Sequence, residues 1–272
     1  GIIINIVLFI ALYRSEMGSE AKLYRVSSMV TAVSGFYTSL GILLFVNTPI
    51  FVGNSFATTT YGPLLFYLSD EMNDRLTVAF FTQTHAMWEL LPAPSIVQWM
   101  SLARPYSSTT RRLLYAYSLP LLFYVNSWYY MQFIVPDKAY KTELVNSIYG
   151  LHGTNLSDYH IYGFKMFDKN GIDLRDIMMF DAMPSYFACY GLFAFCAMQI
   201  RSRLRGLGRT SSSKTVLMQR RFFRIQVAQV FLPLVMLSPP LDIALLCTVL
   251  GANIANASFI MVYTVWLSPS AT

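Results

Sequence analysis

The sequence predicts an all-helical membrane protein, a bundle of seven transmembrane helices. Of its 272 residues, 55% are hydrophobic and only 12% are charged. Soluble domains carry about 25% charged residues, so this deficit indicates that much of the protein surface faces hydrocarbon. Apolar residues run unbroken over whole helices, and the basic residues behind the net charge of +6 gather between these runs. That pattern is typical of membrane topology and argues against a nucleic-acid partner.

The apolar segments follow one another along a single predicted domain, residues 1–272. They cover roughly residues 1–13, 26–46, 76–103, 113–135, 177–200, 223–246 and 251–268. The last two segments are nearly continuous, but one helix over both would be about 64 Å long, twice the hydrocarbon thickness of about 30 Å. We therefore predict two spans joined by a tight turn near Gly251 and Asn253.

Both ends of the sequence are abrupt. The segment from Gly1 to Tyr13 would form a helix only about 20 Å long, which is too short for a complete crossing. Thr272 follows the last apolar segment without a basic tail. We therefore expect the chain to be truncated at both ends.

The distribution of Lys and Arg between the loops predicts the orientation in the membrane. The first, third and fifth loops contain 14 basic residues: Arg14, Lys22, Arg25, Arg104, Arg111, Arg112, Arg201, Arg203, Arg205, Arg209, Lys214, Arg220, Arg221 and Arg224. The other loops contain six basic residues among ten acidic ones. The positive-inside rule therefore places the first set of loops in the cytosol and the amino terminus outside.

The longest connection, about residues 136–176, is predicted to be extracellular. It contains Asn155-Leu156-Ser157, an N-glycosylation acceptor in the compartment where this modification takes place. Asn155 is therefore a glycosylation candidate. A second acceptor sequence at Asn256 lies inside the last span, where we expect it to remain unused.

Glu89 is the residue that is most costly to place in a membrane. It lies near the middle of the third span, where an acidic side chain costs roughly 2.5–3.5 kcal/mol on insertion scales. His85, Trp88, Glu89 and Pro92 share one helical face. One interpretation is a ligand pocket or proton-sensitive latch formed by His85, Trp88 and Glu89; the other is a buried polar contact between helices. The sequence leaves both open.

The fifth loop, residues 201–224, contains eight basic residues and no acidic one. Such a segment is attracted to anionic lipid headgroups of the bilayer. It is also suited to docking a cytosolic protein, with Arg220, Arg221 and Arg224 as candidates at the start of the sixth span. Charge alone does not decide between these two interpretations.

No catalytic or metal-binding constellation is recognisable in the sequence. There is no Ser/His/Asp arrangement, metal-ligand cluster or Gly-rich phosphate loop. The three cysteines, Cys189, Cys196 and Cys247, lie in apolar segments, where we expect small packing residues. We therefore predict neither an enzyme nor a bound cofactor or metal.

Several sequence elements occur in a characteristic order along the spans. They are Gly1 and Asn5, Tyr61-Gly62-Pro63, Arg104-Pro105-Tyr106, Ser213-Lys214-Thr215, Gln219, Gln229, Pro233 and Pro239. With these elements the chain resembles the nematode serpentine chemoreceptors, specifically the class d branch of the Str-type superfamily, over nearly its whole length. Leu64 stands where that family usually has a cysteine.

The resemblance implies a chemosensory G-protein-coupled receptor in the plasma membrane of a sensory cilium. Such a receptor binds an unknown small molecule or peptide outside and activates a heterotrimeric G protein inside. Arg104-Pro105-Tyr106 is similar to the family's Arg-x-Tyr motif, which makes Arg104 and Tyr106 candidates for G-protein coupling. The alternatives are a secondary transporter, for which internal repeats with broken helices are expected, and a non-signalling membrane protein or degraded receptor fragment.

Overall fold

Helices form most of the described chain in the computed structural model. The structure describes residues 1–14, 19–52, 55–60, 62–63, 67–104, 106–152, 160–165, 174–207, 216–231 and 234–235. In chain order the helices are α1 (Ile2–Arg14), α2 (Ser19–Phe45), α3 (Asp70–Glu89), α4 (Ala93–Ala103), α5 (Thr109–Met131), α6 (Lys138–His152), α7 (Leu174–Leu207) and α8 (216–231). Three strands accompany them: β1 (Asn47–Val52), β2 (Ser55–Thr60) and β3 (His160–Lys165).

Helices occupy the first six predicted segments wherever these are described. α1, α2, α5 and α7 cover the first, second, fourth and fifth segments, and α3 and α4 together cover the third. α8 covers the beginning of the sixth. Residues 236–246 of the sixth segment and the whole seventh, residues 251–268, lie outside the described residues. Judged by length and apolar composition, one described segment, Leu23–Phe45, is sufficient to cross a membrane, and Ile2–Arg14 is a shorter apolar helix.

The third predicted span is broken into two helices. Pro92 and Pro94 have no backbone N–H, so an uninterrupted helix cannot form its regular hydrogen bonds across them. The chain turns instead, and the Leu91 N–H donates to the Trp88 carbonyl at 3.2 Å before α4 begins. α3 and α4 are therefore two separate helices where the sequence predicted one span.

Two glycines let neighbouring helices approach each other closely. A Cβ atom at Gly35 of α2 would lie 2.8 Å from the side-chain oxygen of Asn5 in α1. A Cβ at Gly41 would meet the ring of Phe80 in α3, which stacks on Phe45 with ring centroids 5.4 Å apart. Small residues at such positions are typical of helix packing in membranes, because association there depends on close van der Waals contact.

The strands form one antiparallel sheet in the order β1-β2-β3. β1 and β2 pair from Asn47 with Thr60 to Val52 with Ser55. β3 comes from the long connection after α5, and its Lys165 pairs with Ser55 of β2. Two loops that are far apart in sequence therefore meet at one end of the bundle, which we call the sheet end. The opposite end, where α4 and α7 finish and α5 and α8 begin, is the basic end.

The sheet is packed between α6 and the helix ends. On one side, Ile161 and Ala57 form a buried cluster with Leu144 and Ile148 of α6. On the other, Tyr162 packs against residues of α3 and α5 in a second buried cluster. Burial raises the pKa of the Tyr162 phenol above its usual range. The all-helical prediction included neither this sheet nor α6, because apolar segment length identifies spans and says little about short loops.

Candidate functional site

The predicted acid lies in a buried polar cluster between α3 and α5. Glu89 is 3% exposed, and its Oε1 accepts a hydrogen bond from the Ser127 hydroxyl at 2.5 Å. The Ser127 and Tyr130 hydroxyl oxygens are 3.1 Å apart. The His85 ring makes an edge contact with the Tyr130 ring, with centroids 5.9 Å apart. We call these four residues the carboxylate cluster.

The three predicted pocket residues are not directed to one common point. His85 and Glu89 both belong to the carboxylate cluster, although the His85 Nδ1 lies 3.1 Å from its own helix at the Phe81 carbonyl. Trp88 instead packs against Tyr186 of α7, with ring centroids 5.1 Å apart. A separate cavity lies on the other side of α3, and none of these three residues lines it.

A second buried polar cluster joins α2, α4 and α8 toward the basic end. The Gln98 Nε2 donates to the Gln219 Oε1 at 2.9 Å and to the Gln219 backbone carbonyl at 3.1 Å. The Tyr24 hydroxyl donates to the same Oε1 at 3.2 Å. Gln98, Gln219 and Tyr24 are 0%, 4% and 6% exposed, so water does not compete for these bonds. We call these three residues the glutamine network.

Neighbouring contacts extend the attachment of α8 to the bundle. Two turns beyond Gln219, the Gln226 Oε1 accepts a hydrogen bond from the Ser95 hydroxyl at 3.3 Å. Between them, Phe222 packs on the Tyr24 ring with centroids 4.3 Å apart. Between Gln219 and Gln226, one side of α8 therefore contacts α2 and α4 through polar and aromatic side chains.

The predicted coupling residues are exposed at the basic end. Arg104 follows α4 directly, and Tyr106 is 101% exposed. Arg112 donates to the Arg104 carbonyl at 3.2 Å and thereby fixes the turn between α4 and α5. Exposed arginines of α7 and α8 lie at the same end: Arg201, Arg203, Arg205, Arg220, Arg221 and Arg224. The glycosylation candidate Asn155 lies outside the described residues.

Sequence reasoning missed the glutamine network as a site. In the sequence, Gln219 stands out only as part of a motif, and Gln98 does not stand out at all. Inserting an amide side chain into the membrane costs less free energy than inserting a carboxylate, so a glutamine in an apolar segment is a weaker signal of a functional site. The available signal was the seven-residue spacing of Gln219 and Gln226, which places both amides on one helical face.

Comparison with protein families matches residues 2–271 to the serpentine type 7TM GPCR chemoreceptor Str family. No curated protein matches the chain. The match spans the helices of both polar clusters and the exposed arginines at the basic end. The chain therefore belongs to the Str family of serpentine seven-transmembrane chemoreceptors, which are multi-pass membrane receptors of the G-protein-coupled type.

Proposed function

We propose that this chain is a chemosensory receptor in which ligand binding changes the position of α8 relative to α2 and α4. This movement exposes a surface at the basic end that activates a heterotrimeric G protein. The observation that carries the proposal is the glutamine network, because Gln219 joins α8 to two other helices immediately before Arg220 and Arg221.

A network of neutral amides is suited to a switch between two conformations. Interhelical hydrogen bonds in membranes contribute on average about 0.6 kcal/mol each, since alternative partners are available in the other state. Breaking the bonds of Gln98 and Tyr24 to Gln219 therefore costs an amount that differential ligand binding can supply. The exposed Arg104 lies six residues after Gln98, about 9 Å along the helix axis, so a change in the network would reach it directly.

The excess of basic residues in alternate loops supports a receptor whose basic end is cytosolic and whose amino terminus is outside. The finer assignment, to the class d branch and to a sensory cilium, rests on the order of the motifs from Gly1 to Pro239. In the same proposal Arg104, Tyr106, Arg220, Arg221 and Arg224 form the coupling surface.

The proposal is tested without a known ligand by replacing Gln98 with Leu. The change removes the donor to Gln219 while keeping the side-chain volume similar, so α8 should leave its resting position more often. We expect Gln98→Leu to raise basal GTPγS binding several-fold in membranes that contain a co-expressed G protein. A panel of G-protein classes is needed, with receptor amounts matched at the cell surface.

Gln83→Leu is the matched control. Gln83 Nε2 also donates across a helix interface, to the Ser34 hydroxyl at 2.9 Å, but this bond joins α3 to α2 and not to α8. This control should leave basal GTPγS binding unchanged. Equal basal activity in wild type and Gln98→Leu, with every G-protein class and at equal surface amounts, would contradict the proposed switch.

A further inference from the structure

α5 and α7 flank α4 near the basic end of the bundle. Leu113 and Ala116 of α5 and Cys196 of α7 belong to one core cluster with residues of α4. Trp99 of α4 packs against the same cluster, and its ring makes an edge contact with the Phe195 ring of α7, with centroids 6.1 Å apart. Phe195 is 45% exposed, so the junction of the three helices reaches the outer surface of the bundle.

The exposed side chains of α5 and α7 change from apolar to basic toward this end. On α5, the exposed Leu114 and Tyr115 lie one turn from the exposed Arg111, on the same helical face. On α7, the exposed Arg203 lies two turns beyond Phe195. Such a change from apolar side chains to arginine marks the level at which a membrane helix leaves the hydrocarbon and reaches the lipid headgroups.

The two arginines lie at similar depths in the bundle. Arg112, the neighbour of Arg111, donates to the Arg104 carbonyl at 3.2 Å, so the start of α5 lies beside the end of α4. Arg104 follows the ring of α4 by five residues, about 8 Å, and Arg203 follows the ring of α7 by eight residues, about 12 Å. Since the two rings are in contact, the difference between these depths is within the reach of arginine side chains.

The positive charge of this surface is not balanced by nearby acidic residues. The sequence has no Asp or Glu between Glu89 and Asp137, or between Asp181 and Asp242. α4, α5, α8 and the basic half of α7 therefore contribute no carboxylate that could neutralise Arg111 or Arg203. Arginine binds phosphate with two parallel hydrogen bonds and is weakly hydrated, which suits it to a phosphate at a membrane surface.

We propose that the surface formed by Arg111, Trp99, Phe195 and Arg203 binds an anionic phospholipid of the bilayer. The headgroup lies between the two arginines, and an acyl chain runs over the two rings. Phosphatidylserine has the required net negative charge. Phosphatidylcholine has the same phosphodiester, but its quaternary ammonium group is repelled by two arginines. A bilayer lipid fits better than free phosphate, because the rings add apolar contact to the attraction between charges.

The lipid would connect α5 to α7 across α4, beside Arg104. Arg111 and Arg203 are not among the proposed coupling residues, so this surface is distinct from the coupling surface. An influence of the lipid on Arg104 rests on the proposed function, whereas the binding itself does not.

Binding is tested with the purified full chain in phosphatidylcholine nanodiscs, without a G protein. A minor fraction of the lipid carries brominated acyl chains, which quench tryptophan fluorescence on contact, and has either a serine or a choline headgroup. The difference between wild type and Trp99→Phe gives the quenching of Trp99. We expect brominated phosphatidylserine to bind beside Trp99 roughly tenfold more tightly than brominated phosphatidylcholine, because each arginine adds a several-fold attraction for an anionic headgroup.

Arginine variants locate the headgroup, each measured with and without Trp99→Phe. Arg111→Gln and Arg203→Gln should each reduce the preference for phosphatidylserine several-fold, and the double variant should remove it. Arg201→Gln is the matched control, because it removes the same charge from the same helix. Arg201 is exposed but lies about 200° around α7 from Arg203, so this variant should keep the preference. The comparison of headgroups on wild type stands without these variants, should one of them fail to fold.

The proposal is overturned if the two brominated lipids quench Trp99 equally in wild type, or if the folded double variant keeps the preference. It is also overturned if Arg201→Gln removes the preference as fully as Arg203→Gln does, since the attraction would then belong to the whole basic end. Failure of the proposed function gives a different result: basal GTPγS binding does not respond to Gln98→Leu, while the preference for phosphatidylserine at Trp99 persists.

Discussion

The carboxylate cluster and the glutamine network are both buried and polar, yet they connect the helices differently. In the first, one acidic side chain of α3 meets one hydroxyl of α5 at Ser127. In the second, the amide of Gln219 has bonds to two other helices, and the Gln219 backbone also takes part. One cluster attaches a pair of helices, and the other holds three together.

The chemical nature of the two clusters suggests different roles. Burial of a carboxyl group is costly, and the one hydrogen bond that offsets this cost at Glu89 comes from Ser127 and joins α3 to α5, while the Glu89 Oε2 is buried without a partner. A neutral amide exchanges partners at lower cost and so permits two arrangements of similar energy. We therefore expect changes at Glu89 to affect stability first, and changes at Gln98 to affect signalling first.

The largest expected effect concerns the two ends of the bundle. Epitope tags inserted in residues 136–176, near the sheet end, should bind antibody on intact cells. Tags in residues 201–224, at the basic end, should be labelled only after permeabilisation. The reason is the concentration of basic residues at one end. Labelling in the opposite pattern would invert the assignment of outside and inside.

A second prediction compares exposed arginines at the two ends. Arg104→Ala should abolish basal GTPγS binding, in wild type and in the Gln98→Leu background, while surface delivery stays near normal. Arg75→Ala is the control, because Arg75 is exposed at the start of α3, where it pairs with Glu71 at 2.6 Å. Exposed ion pairs contribute little to stability, so this variant should signal normally. Normal signalling by Arg104→Ala would remove Arg104 from the coupling surface.

The smallest expected effect is in the carboxylate cluster. Glu89→Ala removes the bond to Ser127 and leaves a void, which should lower the free energy of unfolding by about 1–3 kcal/mol. Glu89→Gln keeps a hydrogen-bonding group of the same size and should lower it by less than about 1 kcal/mol. Thermal unfolding in detergent measures both.

Ligand dose–response curves at two pH values then separate the two interpretations of Glu89. If the carboxyl group takes part in binding, Glu89→Gln should shift the potency of an active ligand or alter the dependence of that potency on pH. Curves that coincide with those of wild type, at matched surface amounts, would leave the buried contact with Ser127 as the role of Glu89.

The sequence predicted the helices well because their physical cause is local. A long apolar segment determines where α2 lies. The two prolines near Glu89 determine where α3 and α4 separate. The partners of Glu89 and Gln219 were not predictable in this way. Ser127 and Gln98 are 38 and 121 residues away, and a single sequence does not show which helix faces meet.

Part of the sheet has a recognisable signal in the sequence. Gly53-Asn54 separates two short runs rich in β-branched and aromatic residues, which is typical of a β-hairpin. The pairing of this hairpin with β3 had no comparable signal, because it depends on two separate loops meeting above the bundle. Segment length and hydropathy therefore predict the spans. The turn residues predict the β1–β2 hairpin but not its pairing with β3.

The pairing of β2 with β3 also has a consequence for biosynthesis. Ser55 of β2 pairs with Lys165 of β3, so β2 is complete long before its partner is made. At roughly 5–20 residues per second, the ribosome needs about 5–20 s to reach β3. During this interval the edge of β2 is open to association with other chains. The sheet is therefore completed only after α3 and α5, which lie between β2 and β3 in the sequence, have been synthesised.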